Sequence, residues 1–109
     1  YLQSPALVKF CREKSIQLQA WSPLMQAGAL LQDRTVREIA QRHHKSPVQV
    51  ILRWDLQTGV ATIPKSADAT RIAENAEIFD FALTPAELEA IARLDRGQRC
   101  GADPFNFRF

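Results

Sequence analysis

The fold is decided by the stretch VATIPKS, residues 60–66, which places a short apolar run before a proline and two polar residues. The run predicts a buried strand, and Pro64 ends it because proline has no N–H to donate to a neighbouring strand. A second strand is predicted over residues 16–21, IQLQAW, where apolar and polar residues alternate with the period of a strand. A serine-proline pair ends that strand.

Five helices are predicted, because a capping residue precedes each helical run of apolar residues. They begin at Ser4-Pro5, Asp33, Ser46-Pro47, Asp68 and Thr84-Pro85. The Ser46 and Thr84 helices carry Gln and Glu at the third position, which is the pattern of a capping box. The first helix is expected to end near Lys14, the third at Thr58-Gly59 and the fourth at Ala76 or Ile78. The side chains expected to face inward are Leu7, Val8, Cys11, Val36, Ile39, Ala40, Val48, Ile51, Leu52, Leu56, Leu88, Ile91 and Leu94.

The resulting order is helix, strand, helix, helix, strand, helix, helix and an irregular tail. Strands that alternate with helices predict parallel strands joined by crossover connections, and hence the α/β class. Two parallel strands cannot form a stable sheet alone, because their edges and apolar faces would be open to water. A complete eightfold barrel takes about 250 residues. The chain is therefore expected to be the last third or so of a larger fold.

Composition excludes several classes of protein. The chain has 109 residues, of which 46% are hydrophobic and 24% charged, as in an ordinary globular protein. No apolar run approaches the roughly 20 residues that span a bilayer, and the first residues, YLQSP, show no secretory signal. The net charge of +2 is spread along the chain, so no nucleic-acid or membrane partner is expected. Cys11 and Cys100 show no CxxC pattern and are predicted to be free thiols of a cytoplasmic protein.

The polar residues that follow the 60–63 strand predict an anion site. Lys65, Ser66 and Arg71 place two cations and a hydroxyl at a strand end beside the start of a helix. The alternative is that the two cations are solvated surface charges. Glu74 and Asn75 could equally be helix-surface residues, although Asn is a poor helix former and therefore suggests a role.

Four motifs stand out along the chain: AWSPL at 20–24, IPKS at 63–66, RIAEN at 71–75 and FDFALT at 79–84. Together they resemble the carboxyl-terminal part of the aldo/keto reductases, and most of all the bacterial branch that includes 2,5-diketogluconate reductase. The resemblance implies the carboxyl-terminal portion of a (β/α)8 barrel, with the two strands as its seventh and eighth. It also implies that the Asp33 and Thr84 helices are the family's two extra helices. Members bind NADPH without a Rossmann domain.

The resemblance assigns roles to five residues around the second strand. Lys65, Ser66 and Arg71 match the positions that hold the 2′-phosphate of NADPH, which favours NADPH over NADH. Glu74 and Asn75 match the positions that hydrogen-bond adenine.

Three further residues match cofactor positions after the first strand. Trp21 matches the aromatic residue that stacks on the nicotinamide, and the alternative is a core aromatic that closes the barrel top. Ser22 and Leu24 match positions that clasp the pyrophosphate and ribose. Asp68 departs from the family's usual Ser or Thr, and its carboxylate is expected to cap a helix. The tail, residues 101–109, resembles the loop that lines the substrate pocket, or merely docks its Phe side chains on the barrel.

The resemblance places the catalytic Asp, Tyr, Lys and His of the family upstream of Tyr1, so no catalytic residue is expected here. His43 and His44 are adjacent and point about 100° apart on a helix, so a helix end at the surface is expected rather than a metal site. The intact protein is expected to be a monomeric NADPH-dependent reductase of aldehydes or ketones. Two alternatives stay open: a non-catalytic, cofactor-binding regulatory subunit, and an inactive truncated fragment.

Overall fold

Two short parallel strands and the helices that connect and flank them make up the structure. The computed structural model describes residues 2–25, 28–103 and 106. The elements are α1 (Pro5–Glu13), β1 (Leu18–Gln19), α2 (Ala29–Gln32), α3 (Arg34–His43), α4 (Pro47–Gln57), β2 (Val60–Ala61), α5 (Ala69–Ala76) and α6 (Pro85–Ala92). All five predicted helices are confirmed. The short helix α2 was not predicted, because residues 29–32 carry no capping side chain before them.

Capping boxes begin α4 and α6, as the sequence predicts. The Ser46 hydroxyl accepts from the Gln49 N–H at 3.3 Å, and the Gln49 side-chain oxygen accepts from the Ser46 N–H at 2.9 Å. Thr84 and Glu87 repeat the arrangement at the start of α6. Each box satisfies two backbone donors that a helix start leaves free.

Single caps begin α3 and α5. The Asp33 carboxylate accepts from the Thr35 N–H and the Asp68 carboxylate from the Arg71 N–H, both at 2.9 Å. Ser4 precedes α1 as predicted, but its side chain makes no capping hydrogen bond. The proline after it sets the helical φ instead.

The two strands pair in parallel, with Leu18 opposite Val60 and Gln19 opposite Ala61. The parallel crossover is thereby confirmed, but each strand is shorter than the six and four residues predicted. A strand is defined by its partner, and the described chain offers each strand a neighbour on one side only. The side chains at the unpaired ends are correspondingly open to solvent: Ile16 is 52% and Ile63 69% exposed.

The core lies among α2, α3, α4 and α6. Its fully buried side chains include Val36, Ile39, Val50 and Leu52. Val50 was not predicted inside, while Val48 and Leu56 are only half-buried. The reason is that α4 is packed on more than one side, so its buried positions exceed a single helical stripe.

Helix α1 also departs from the prediction. Cys11 is buried, Val8 is half-buried and Leu7 is 53% exposed. Cys11 and Cys100 are both free thiols, as predicted. Within the described residues, no helix is long and apolar enough to cross a membrane.

Candidate functional site

The predicted cofactor residues fall into two groups at the same edge of the strand pair. Because β1 and β2 are parallel and in register, their carboxyl ends lie side by side. Trp21, Ser22 and Leu24 follow the end of β1, and Lys65 and Ser66 follow the end of β2. This edge is where a parallel α/β fold builds its binding sites.

A tight turn at residues 66–68 immediately precedes α5. The Ser66 hydroxyl accepts from the Asp68 N–H at 3.1 Å, and Asp68 caps the helix through the Arg71 N–H. The capping role predicted for Asp68 is confirmed. Its consequence is electrostatic, because a carboxylate already occupies the positive end of α5. An anion bound here would therefore depend on cationic side chains more than on the helix terminus.

Two cations beside this turn are available to a ligand. Lys65 and Arg71 are both exposed, and neither side chain has an ion-pair or hydrogen-bond partner among residues 2–25, 28–103 and 106. By contrast, exposed Arg34 and Arg93 each pair with a glutamate one helical turn away, at 2.6 Å. The cations that the sequence assigns to phosphate are thus left unneutralised.

Helix α5 presents the remaining predicted residues along one face. Arg71, Glu74 and Asn75 stand three and four positions apart, so their side chains are neighbours on the helix surface. Arg71 and Glu74 are exposed, and Asn75 is half-buried. The spacing allows a ligand lying along α5 to meet the cation first and the acid and amide one turn later.

The carboxyl end of α5 is held by side chains from α4 and the turn before it. The Gln49 amide nitrogen donates to the carbonyls of Glu74 at 3.0 Å and Glu77 at 3.2 Å. Lys45 donates to the same Glu77 carbonyl, and Arg53 donates to the Ile78 carbonyl at 3.0 Å. Sequence reasoning missed these contacts. The sequence gives one hint of them. The capping box uses the amide oxygen of Gln49, so its amide nitrogen needs acceptors elsewhere.

Trp21 stands at the mouth of the strand pair with 67% of its surface exposed. The chain returns to Trp21 at Gly101, where an added Cβ would overlap the indole ring, so a larger residue there would have to displace the Trp21 side chain. Ser22 follows with a positive φ of 51° and accepts the Met25 N–H in a turn at 2.9 Å. A non-glycine residue in this region costs about 1–3 kcal/mol, and Ser22 shares the conformation with His44 at the end of α3.

Leu24 packs its side chain against the hydrophobic core. The backbone of Leu24 is therefore the part that a ligand can contact. In the tail, residues 104, 105 and 107–109 lie outside the described residues, and so do the three Phe side chains expected near the substrate pocket.

A buried carboxyl group lies where α4 meets the strand face. Asp55 is 6% exposed, and burial raises its pKa to about 7, with the Thr62 hydroxyl acting in the opposite direction. Neither Asp55 Oδ2 nor Thr62 Oγ1 has a partner in hydrogen-bond geometry among the described residues. Asp55 also lines a cleft of about 920 Å³ bounded by α1, β1 and α4.

The adjacent histidines have different environments. His43 is half-buried and lies 2.9 Å from Glu87, from Nε2 to Oε2, which ties α3 to α6. Although burial acts to raise it, the Thr84 N–H and His43 hold the pKa of Glu87 below its ordinary value. His44 is exposed and ends α3 in a left-handed conformation with φ of 53°. The sequence predicted that the two histidines do not share one environment. It did not predict the contact between His43 and Glu87.

Comparison with protein families gives one match. Residues 1–96 match the model of the aldo/keto reductase family. Over 108 residues the chain is 49% identical to an uncharacterized oxidoreductase and to a glyoxal reductase, both of Bacillus subtilis. It is 44% identical over 93 residues to the Escherichia coli methylglyoxal reductase DkgA. The matches cover 99%, 99% and 84% of this chain, but 38%, 39% and 34% of these relatives.

Solved structures agree over nearly the whole chain. A variant of the protein Gox0644 in complex with NADPH is 39% identical with a TM-score of 0.92, and an aldo-keto reductase from a deep-sea metagenome library is 33% identical with a TM-score of 0.94. Each match covers 99% of this chain and 40% of the other chain. The expected fold class is thereby confirmed: the chain has the α/β fold of these proteins and matches about 40% of each, as a portion of a (β/α)8 barrel does. That β1 and β2 are the seventh and eighth strands stays a prediction.

Proposed function

Because this chain belongs to the aldo/keto reductase family, we propose that it is the cofactor-binding part of an NADPH-dependent oxidoreductase. The complete protein reduces the carbonyl group of an aldehyde or ketone to an alcohol. This chain spans about two fifths of its relatives' length. It contributes the residues that bind the cofactor and part of the substrate pocket. The remaining strands of the barrel precede it.

The observation that carries the proposal is the pair of unpaired cations at the strand edge. Lys65 and Arg71 have no protein anion to neutralise them among the described residues, unlike Arg34 and Arg93. They differ from other unpaired cations, such as Arg37, in lying beside the carboxyl end of β2 and the start of α5. Together with Ser66 they suit a dianionic 2′-phosphate. Charge-assisted hydrogen bonds of this kind contribute about 1.5–3 kcal/mol each.

The face of α5 extends the same assignment to the adenine base. Glu74 supplies acceptors for an exocyclic amino group, and Asn75 supplies both a donor and an acceptor. Both lie one helical turn beyond Arg71, a rise of about 5.4 Å along the helix axis. This rise is of the same order as the distance between the 2′-phosphate on a ribose and the adenine base. The residues present therefore fit NADPH.

The residues after β1 are assigned to the reactive end of the cofactor. When bound, NADPH supplies a hydride from its nicotinamide ring to the carbonyl carbon. Trp21 offers an exposed indole on which that ring stacks, and the stack fixes which face meets the substrate. Ser22 and the backbone of Leu24 clasp the pyrophosphate and ribose.

No residue of this chain is assigned a catalytic role. The proton that completes alcohol formation comes from a tyrosine in the preceding part of the barrel, acting as a general acid. The names of the relatives, which include glyoxal and methylglyoxal reductases, support a small carbonyl compound as the substrate. We expect the complete protein to be a cytoplasmic monomer.

A cofactor titration of the full-length protein tests the proposal. NADPH should bind about 10²-fold more tightly than NADH, and Arg71→Ala should remove most of that preference while leaving NADH affinity unchanged. Arg37→Ala is the matched control, since Arg37 is an exposed arginine on α3, away from α5. An equal loss of affinity for both cofactors in Arg71→Ala, or none, would contradict the phosphate assignment. Oxidation of NADPH by methylglyoxal separates an active reductase from a cofactor-binding subunit without catalysis.

A further inference from the structure

Helix α5 carries the proposed adenosine contacts but buries no side chain of its own. Its Ile72 is 54% exposed. A helix without a buried face gains little from apolar packing, so other interactions must set its position. The hydrogen bonds from Gln49 are the strongest candidates, because Gln49 itself is only 5% exposed.

The orientation of the Gln49 amide follows from its partners. The Ser46 N–H can only donate, so the amide oxygen must face it, at 2.9 Å. The amide nitrogen then faces α5 and donates to the Glu74 and Glu77 carbonyls. One buried side chain thus joins the start of α4 to the last turn of α5.

The two neighbouring donors act further along the chain. Lys45 reaches the Glu77 carbonyl and Arg53 the Ile78 carbonyl, both beyond the last residue of α5. Among the described residues, Gln49 is the α4 side chain that bonds to a residue within α5. That residue is Glu74, which is itself assigned to adenine.

We propose that Gln49 is a positioning residue for the adenine end of the cofactor site. This inference rests on the proposed function and adds a residue that does not touch the ligand. Gln49 fixes the backbone of Glu74, and thereby the direction in which Glu74 and Asn75 project. Because adenine is common to NADPH and NADH, loss of Gln49 should weaken both cofactors alike.

Two substitutions in the full-length protein test the inference. Gln49→Glu keeps an oxygen for the Ser46 N–H and turns a second oxygen toward the two α5 carbonyls, to which it cannot donate at a pH where the carboxylate is ionised. Gln49→Met keeps the length of the side chain and removes all three of its hydrogen bonds, to the Ser46 N–H and to the Glu74 and Glu77 carbonyls. Thr84→Ala is the control, because it removes the hydroxyl bond of the similar capping box on α6, a helix that packs against α3.

The readouts are the dissociation constants of NADPH and NADH, the melting temperature and the amide exchange of residues 72–77. Both Gln49 variants should weaken NADPH and NADH by about tenfold each, with their ratio kept, and should speed exchange in α5. Thr84→Ala should lower the melting temperature without changing either dissociation constant. Affinities within about twofold of wild type in both Gln49 variants, or losses no larger than in Thr84→Ala, would overturn the inference.

Arg71→Ala, measured in the same experiment, separates this inference from the proposed function. If it leaves the preference for NADPH unchanged while the Gln49 variants weaken both cofactors, the phosphate assignment is wrong and the positioning role stands. If it removes the preference while the Gln49 variants bind normally, the positioning role is wrong and the proposed function stands. If wild-type protein binds neither cofactor, both are wrong.

Discussion

The helical layer formed by α2, α3, α4 and α6 differs sharply from the region formed by the strand edge and α5. In the helical layer, Val36, Ile39 and Leu52 are fully buried. At the strand edge, Trp21 is 67% and Ile63 69% exposed, and α5 buries nothing. Every residue assigned to the cofactor belongs to the second region. The buried core and the residues proposed for the cofactor therefore lie mostly in different parts of the chain, with Leu24, whose side chain packs on the core, belonging to both.

The difference has a physical origin in the barrel. The helices of the helical layer pack against one another, so their apolar faces are covered within this chain. The strand pair has no further strand beside it among the described residues, so Ile16 and Ile63 at its ends stay open to solvent. A region with few buried contacts of its own is also the region that a ligand can most readily reorganise.

The largest expected effect is the loss of stability caused by a cavity in the helical layer. Ile39→Ala should lower the free energy of unfolding of the full-length protein by about 2–5 kcal/mol, because the side chain is fully buried. It should leave NADPH affinity unchanged. Ile72→Ala on α5 is the matched substitution and should cost far less stability. Denaturant titration of both variants checks this, and equal losses would mean that α5 belongs to the same core.

A second prediction concerns the boundary between the two regions, where Asp55 lies. Its folded-state pKa of about 7 is above the ordinary value of 3.8, so the folded state holds the proton more tightly than the unfolded state. Stability is then greatest below the ordinary value and falls as pH rises to about 7, by up to about 4 kcal/mol.

Asp55→Asn should remove that pH dependence and stabilise the protein at pH 8. Unfolding free energies measured across the pH range test this. Thr62→Val should shift the fall to higher pH, because the hydroxyl acts to lower the Asp55 pKa. A pH profile of Asp55→Asn that follows wild type would show that another group is responsible.

The smallest expected effect is at Trp21. Trp21→Ala should weaken NADPH by about 0.5–1.5 kcal/mol beyond the lost burial, slow hydride transfer and change stability little. NADPH should quench the fluorescence of Trp21. Trp54→Phe is the control, since Trp54 packs on the core and donates to the Leu88 carbonyl at 3.1 Å. If Trp21→Ala keeps the quenching and instead lowers the melting temperature sharply, Trp21 is a core residue.

The sequence predicted best what depends on neighbouring residues. Helix starts at Asp33, Ser46, Asp68 and Thr84 are correct because each cap bonds within four positions of itself. Strand lengths were wrong because pairing depends on a partner elsewhere in the chain. The burial of Val50 was missed for the same reason, since it depends on how many neighbours α4 has.

The candidate site divides in the same way. A resemblance of motifs located Lys65, Arg71 and Trp21, whose roles stay predictions. The contacts that hold the site connect residues far apart in the chain, such as Gln49 with Glu74 and Trp21 with Gly101. No local sequence pattern predicts such contacts, because each residue meets its partner only once the helices have packed.

The most direct test of the account is amide hydrogen exchange of the full-length protein with and without NADPH. The account predicts added protection at residues 21–24 and 65–76, which follow the two strands and include α5, and no change within α3 and α6. Protection that appears in α3 and α6, or that is absent from α5, would contradict the assignment of cofactor binding to the strand edge.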